Sequence, residues 1–345
     1  MYKTIKNEMR VAIIGGGIVG LTTAGFVQAG YFRNADITVL ASDFDDTVSH
    51  VAAGIFRVGA SFCGPKETVT RQWIKDSYEF YDAVRKMDDA SYAGVTDISG
   101  YIFANSSQDT VRNHWLESVV PVYRRANEEE FELVNGSWKY GSYFSTLLTQ
   151  SNLYLPWAKR RLQLNGITFK QRELNSFKEL TNDYDIVINC TGLGARKLCS
   201  DRRLVSLRGQ VLKVKAPWMK MFFYGELDTY IIPGFNGIVT LGGSRNFDSE
   251  NIKLCPHESA AIRERCETLI PSLKNAEILR QEVGLRPHRD GGVRVGDGSR
   301  ISNHSKAIII HNYGHGGYGV CMAPGTSITA VNAAVELHKS TSSKI

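Results

Sequence analysis

The chain has 345 residues, 43% of them hydrophobic and 22% charged, with a formal net charge of +6. This is an ordinary composition for a folded protein with a sizeable core, in one large domain or two, and it excludes a low-complexity chain. The positive charge is dispersed, with Arg124-Arg125, Arg160-Arg161 and Arg202-Arg203 as isolated pairs, so no nucleic-acid partner is expected.

In chain order, Met1–Arg10 is short and polar and lacks the apolar centre of a signal peptide. Val11–Ile14 is an apolar run opening on glycine, the pattern of a buried parallel strand. A helix is predicted from 18 to about 29, with Gly30 as its stop, and Ile37–Ala41 is a second strand. Residues 66–90 read as helical, 98–105 as a strand, and 143–164 as helical despite Pro156. Ile186–Asn189 is another buried strand. Residues 204–245 alternate in strand fashion, through Gln210–Lys215, Tyr230–Pro233 and Ile238–Gly242. Residues 257–273 read as helical, Ile308–His311 as a last buried strand, and Ala323–His338 as a final helix. No run nears the ~20 apolar residues of a membrane span, so no membrane partner is expected. Parallel-type strands at both ends enclose an antiparallel middle, which predicts a discontinuous nucleotide domain with a second domain inserted.

Six scattered cysteines form no C-x-x-C pair, which reads as reduced thiols in an intracellular protein. His311 and His315 have the spacing of metal ligands on a helix, but the glycines around them oppose a helix, so no metal is expected.

Two glycine-rich segments carry the chemistry. Gly15-Gly16-Gly17-Ile18-Val19-Gly20 has the form of a dinucleotide-binding turn. Gly15 permits the turn, Gly17 lets backbone approach a pyrophosphate, and Gly20 lets helix and strand pack closely. The second is His311-Asn-Tyr-Gly-His-Gly316-Gly317-Tyr318-Gly319-Val320. If both serve one cofactor, the two ends of the chain meet around it. A nicotinamide dehydrogenase leaves the second segment unexplained.

Further segments carry a resemblance: Val51-Ala52-Ala53-Gly54, Asn189-Cys-Thr-Gly192, Leu207-Arg-Gly-Gln-Val211, Tyr230-Ile-Ile-Pro-Gly234, Val239-Thr-Leu-Gly-Gly243 and Gly284-Leu-Arg-Pro287. With the two glycine segments, in this order and over nearly the whole chain, they resemble the D-amino-acid oxidase family of FAD enzymes. The resemblance implies an α/β fold: a Rossmann-like FAD-binding domain with a parallel sheet, and an interleaved, mostly antiparallel α+β substrate domain. The expected division is 1–60, 145–200 and 285–345 for FAD, and 61–144 and 201–284 for substrate. It implies oxidation of a D-amino acid by hydride transfer to flavin, with O2 as acceptor and a 2-oxo acid, ammonia and hydrogen peroxide as products. A flavin-binding protein without turnover is the alternative from another class.

The resemblance assigns FAD to Gly15, Gly17, Ile18, Val19 and Gly20, and to Ser49, Ala53, Gly54, Leu174, Thr191 and Gly192. Gly316, Tyr318, Gly319, Val320 and Cys321 complete the set. Thr191 also reads as a simple strand-end turn. For the ribose, relatives often have an acid where this chain has Ser42; Asp43, one place later, takes the role, or the Ser42 hydroxyl does. The substrate residues implied are Arg286 for the α-carboxylate, Tyr230 beside it, Gly317, and Arg245. An arginine at the position of Arg245 resembles the D-aspartate oxidases, and in a water-poor pocket it would draw a side-chain carboxylate. The preference expected is therefore D-aspartate, then D-glutamate, with neutral D-amino acids as the alternative. No side chain is needed as general base.

Two positions depart from the family. The further arginine of D-aspartate oxidases, seven positions before the pocket tyrosine, is here Phe223, and the tyrosine of neutral-substrate oxidases, four before it, is here Glu226. Arg57 lies close enough to the flavin-side segment to supply the missing charge. Ser343-Lys344-Ile345 is similar to a peroxisomal address, which implies an import receptor as partner.

Overall fold

The computed structural model describes residues 9–59, 62–301 and 307–342, so the tripeptide Ser343-Lys344-Ile345 lies outside the described residues. Among the described residues, fifteen strands fall into two sheets. The first is built from β1 (Arg10–Ile14), β2 (Asp36–Ala41), β6 (Thr168–Gln171), β7 (Ile186–Asn189), β14 (Arg294–Arg300) and β15 (Ile308–Tyr313). Its order is β14-β15-β7-β1-β2-β6, parallel throughout except for the β14–β15 pair. β1, β7 and β15 are almost continuously buried, as strands covered on both faces are.

The second sheet contains β3 (Val95–Ala104), β4 (Val122–Arg125), β5 (Tyr140–Thr149), β8 (Leu204–Lys215), β9 (Phe222–Tyr224), β10 (Tyr230–Pro233), β11 (Ile238–Gly242), β12 (Asn246–Phe247) and β13 (Glu277–Arg289). It is antiparallel except where β3 meets β9. Five helices of a dozen residues or more cover the sheets: α1 (Ile18–Ala29), α2 (Glu67–Arg85), α3 (Ser151–Leu164), α4 (Pro256–Leu269) and α5 (Gly319–Ser342). The ends of the chain are joined by buried hydroxyls: Thr23 Oγ1 on α1 lies 2.8 Å from Ser327 Oγ on α5.

One reading is corrected and one strand added. Residues 143–149, predicted as helix, are the end of β5; its Ser and Thr side chains and Tyr143 alternate across the sheet against β3, and the helix begins only at Ser151. β13 was not foreseen: Gly284 and Pro287 interrupt its pattern, yet it pairs with β8 along almost its whole length. These two strands also run through the domain boundaries expected at 144/145 and 284/285.

Candidate active site

A cleft of about 1340 Å³ opens beyond the C-terminal ends of β1, β2, β7 and β15. Ligands of open α/β sheets bind in this place, because the glycine turns and helix N-termini gather there. The opposite wall comes from β8, β9, β10 and β13 and from Gly243–Arg245 after β11. The volume exceeds the roughly 300–1,000 Å³ of an ordinary small-molecule pocket, leaving room for a dinucleotide and a small substrate together.

The β1–α1 turn forms a tight cradle. Gly15 has φ +126°, and its N–H donates to Leu40 O at 2.8 Å. A Cβ at Gly15 would run into the Cys190 carbonyl, and one at Gly20 into the Gly15 carbonyl, so both approaches require glycine. Gly17 caps α1 without any side-chain bond of its own. The Ile18 N–H donates to Ser49 Oγ at 3.1 Å, so Ser49 caps the helix start and shapes the cradle through its hydroxyl. Val19 lines the cleft with these residues.

The other expected FAD residues also line the cleft, several with protein partners already. Asp43 is exposed, and its Oδ1 accepts the N–H groups of Asp45 at 2.7 Å and Asp46 at 2.9 Å. Those bonds, the Asp46 one foremost, hold its carboxyl below the usual range. The Thr191 hydroxyl donates to Asn189 Oδ1 at 2.7 Å, which is the strand-end turn that the sequence left open. Gly54 has φ +81°, and a Cβ there would meet the Thr149 carbonyl, so β5 itself demands this glycine. Ala53 precedes it, and Leu174 is buried against Ile14 and Leu40. Gly192 and Gly316 turn the chain at φ +55° and +57°. Beyond Gly316, the short turn Gly316–Tyr318 leads into α5 at Gly319. The Val320 carbonyl accepts from Tyr81 Oη at 2.7 Å. The Cys321 thiol donates to Ile55 O at 3.2 Å, and burial pushes it up to about 11. The glycine cradle, a helix N-terminus and the cleft's size fit FAD.

Across the cleft, Arg286 sits on β13. Gly209, two strand positions from it in register on β8, leaves the space that the guanidinium fills; any Cβ there would overlap it. Its NH1 group donates to Ser244 O at 3.3 Å, and it meets no carboxylate among the described residues. Gly317 packs against it, with a Cβ placed 3.5 Å from Arg286 Cδ. Tyr230 opens β10, its ring lying over Gly242 and Gly243, where no Cβ would fit. Burial pushes its phenol up, and the Arg286 charge pulls it partly back.

Arg245 departs from expectation. It is at the mouth, its side chain 54% exposed, and its Nε lies 3.0 Å from Asp228 Oδ1. The charge meant for a water-poor pocket is thus solvated and paired. Phe223 is buried with Leu212 and Leu241 on the far face of the sheet, and Glu226 turns away to accept the Asn105 N–H at 2.8 Å. Strand alternation instead turns Tyr224 into the cleft, a residue that sequence reasoning missed and that the period of two along 222–224 could have found. Arg57 also lines the cleft, its guanidinium 4.5 Å above the Tyr224 ring. His315 is buried beside Thr326 Oγ1 at 3.0 Å and pushed down to about 4 by that burial, hence neutral at pH 7. His311 faces Asn189 at 3.2 Å, on β15 and away from His315's partner.

A family model described as FAD dependent oxidoreductase matches residues 10–332. The chain belongs to that family. It is 34% identical to the human D-aspartate oxidase over 96% of both chains. It is 29% identical to D-aspartate oxidase 1 of Caenorhabditis elegans, covering 93% of this chain and 95% of the relative. Its fold is shared with the crystal structure of glycine oxidase from Geobacillus kaustophilus, at TM-score 0.78 and 14% identity, covering 94% and 95% of the two chains. The protein is accordingly an FAD-dependent oxidase with an α/β fold. No described helix is long and apolar enough to cross a membrane.

Proposed function

We propose that this oxidase acts on acidic D-amino acids, D-aspartate first and D-glutamate next. Amino acid, dioxygen and water become 2-oxo acid, ammonia and hydrogen peroxide. The chemistry that FAD supplies when bound is acceptance of the Cα hydrogen with its electron pair, and return of two electrons to dioxygen. Arg286 receives the α-carboxylate through two parallel hydrogen bonds, which fix position and plane together. The Tyr230 hydroxyl adds a third. Gly317, packed on the Arg286 stem, keeps that side of the cleft open. No side chain takes the Cα proton: His315 is neutral and bonded to Thr326. The substrate amine sheds its proton to water, and the imino acid hydrolyses in water. Holding two points of the ligand, the carboxylate and the side chain, presents only one enantiomer's Cα–H correctly.

The glycine cradle at the α1 N-terminus would hold the pyrophosphate, Asp43 the ribose, and the Gly316–Cys321 turn the flavin ring. The observation that carries the acidic preference is a cleft wall with Arg286 and Arg57, neither of which meets a carboxylate among the described residues. The human relative's name supports it. The pairing of Arg245 with Asp228 favours a second reading, a preference for neutral D-amino acids. Peroxide release from D-aspartate, D-glutamate, D-alanine and L-aspartate separates them. At least a tenfold higher kcat/KM for D-aspartate over D-alanine is expected; a ratio at or below one refutes the proposal. Ser343-Lys344-Ile345 belongs to the same proposal as a peroxisomal address, tested by relocation of the protein when it is removed.

A further inference from the structure

The arginines lining the cleft divide into two groups among the described residues. Arg172 meets Glu179 at 3.2 Å, Arg289 meets Asp201 at 2.7 Å, and Arg245 meets Asp228 at 3.0 Å. Arg286 and Arg57 meet no carboxylate. One unpaired guanidinium suits one carboxylate; two suit a ligand with two.

Arg57 is held rigidly. Phe56 N–H donates to Leu147 O at 2.7 Å, and Thr146 Oγ1 donates to Phe56 O at 2.7 Å. Asn113 Nδ2 donates to Val58 O at 2.7 Å, and the Cys321 thiol fixes Ile55. Phe56 and Val58 are buried in the core, so Arg57 between them is turned into the cleft. Its Nε is buried and has no hydrogen-bond partner among the described residues. A buried donor without an acceptor is costly, and a ligand that supplies the acceptor removes that cost. The guanidinium carbon stands 4.5 Å from the centre of the Tyr224 ring, which is 5.9 Å from that of Tyr230, the neighbour of Arg286. The face of an aromatic ring steadies a cation without spending its N–H groups.

We propose that Arg57, resting on Tyr224, is the specificity residue that binds the substrate's side-chain carboxylate, while Arg245, exposed at the mouth beside Asp228, stays outside that role. This rests on the acidic-substrate proposal. Phe223 has left the cleft, so the second cation comes from the segment after the flavin-side glycine instead of from β9.

The test compares Arg57→Leu, Arg57→Lys and Arg245→Ala with the wild-type holoenzyme, using peroxide release from D-aspartate and D-alanine. A calorimetric titration with succinate and with butyrate, ligands of one length with two carboxylates and one, reads binding without turnover. Arg57→Leu should lower kcat/KM for D-aspartate about ten- to hundredfold, the range of a charge-assisted hydrogen bond, and leave D-alanine within about threefold. It should also abolish the preference for succinate. Arg57→Lys, which keeps the charge without the fork, should retain part of both preferences. Arg245→Ala should keep both. Equal losses on the two substrates, equal ratios in the Lys and Leu variants, or loss of selectivity in Arg245→Ala instead would overturn the assignment. A wild-type enzyme favouring D-alanine would overturn the functional proposal itself, whatever the variants do.

Discussion

Replacing Gly209 with alanine tests the active-site geometry with a single methyl group. Gly209 lies in the middle of β8 opposite Gly284, and the Arg286 guanidinium, two positions along β13, fills the space above it. An added Cβ would stand 2.5 Å from Arg286 Cζ, where ordinary contact needs 3.4–4 Å. The guanidinium must therefore retreat by on the order of 1 Å, a misplacement that can cost about 10²-fold in rate. Arg286 is the far end of a flexible side chain, so the fold absorbs the methyl. Alanine suits a strand better than glycine does, and its backbone entropy is favourable by about 0.5–1 kcal/mol. The expectation is unchanged melting and FAD content, with kcat/KM reduced about ten- to hundredfold for D-aspartate and D-alanine alike. Steady-state peroxide assays on flavin-quantified enzyme measure it. Full activity in Gly209→Ala would mean that the α-carboxylate does not bind at this guanidinium.

Arg286→Leu should lower kcat/KM on every substrate by about 10²–10⁴-fold, the loss of two charge-assisted bonds. If D-alanine turnover survives it, the carboxylate clamp is elsewhere. Gly15→Ala should yield protein that does not retain flavin, since φ +126° and the Cys190 carbonyl both refuse a side chain; a normal ratio of flavin to protein absorbance would refute the cradle. Asp228→Asn should change the D-aspartate to D-alanine ratio by less than about threefold, because a surface ion pair contributes little; a tenfold rise would restore Arg245 to the pocket. Glu130 is held at about 2, first by Arg124. A carboxyl depressed from 4.5 in the folded state contributes stability above pH 4.5, lost as pH falls towards 2. Glu130→Gln should therefore melt below wild type at pH 7, with the gap closing between pH 4.5 and 2, as thermal melts would read.

What the sequence determined by itself is what depends on near neighbours. A turn that only glycine can make, followed at once by a helix, is written in Gly15, Gly17 and Gly20, because φ and close approach act within a few residues. The apolar runs of β1, β7 and β15 likewise declare strands covered on both faces. The tertiary structure alone decided which charges stand free in the cleft. Arg245 and Arg57 are the same residue type, yet Asp228 neutralises one and the core beside Phe56 and Val58 aims the other inwards. Burial and pairing arise between segments far apart in the chain, and local pattern carries no trace of them. The same holds for Tyr143–Thr149, whose strand identity comes from β3, and for Gly209, whose missing side chain makes sense only once β13 brings Arg286 across from it.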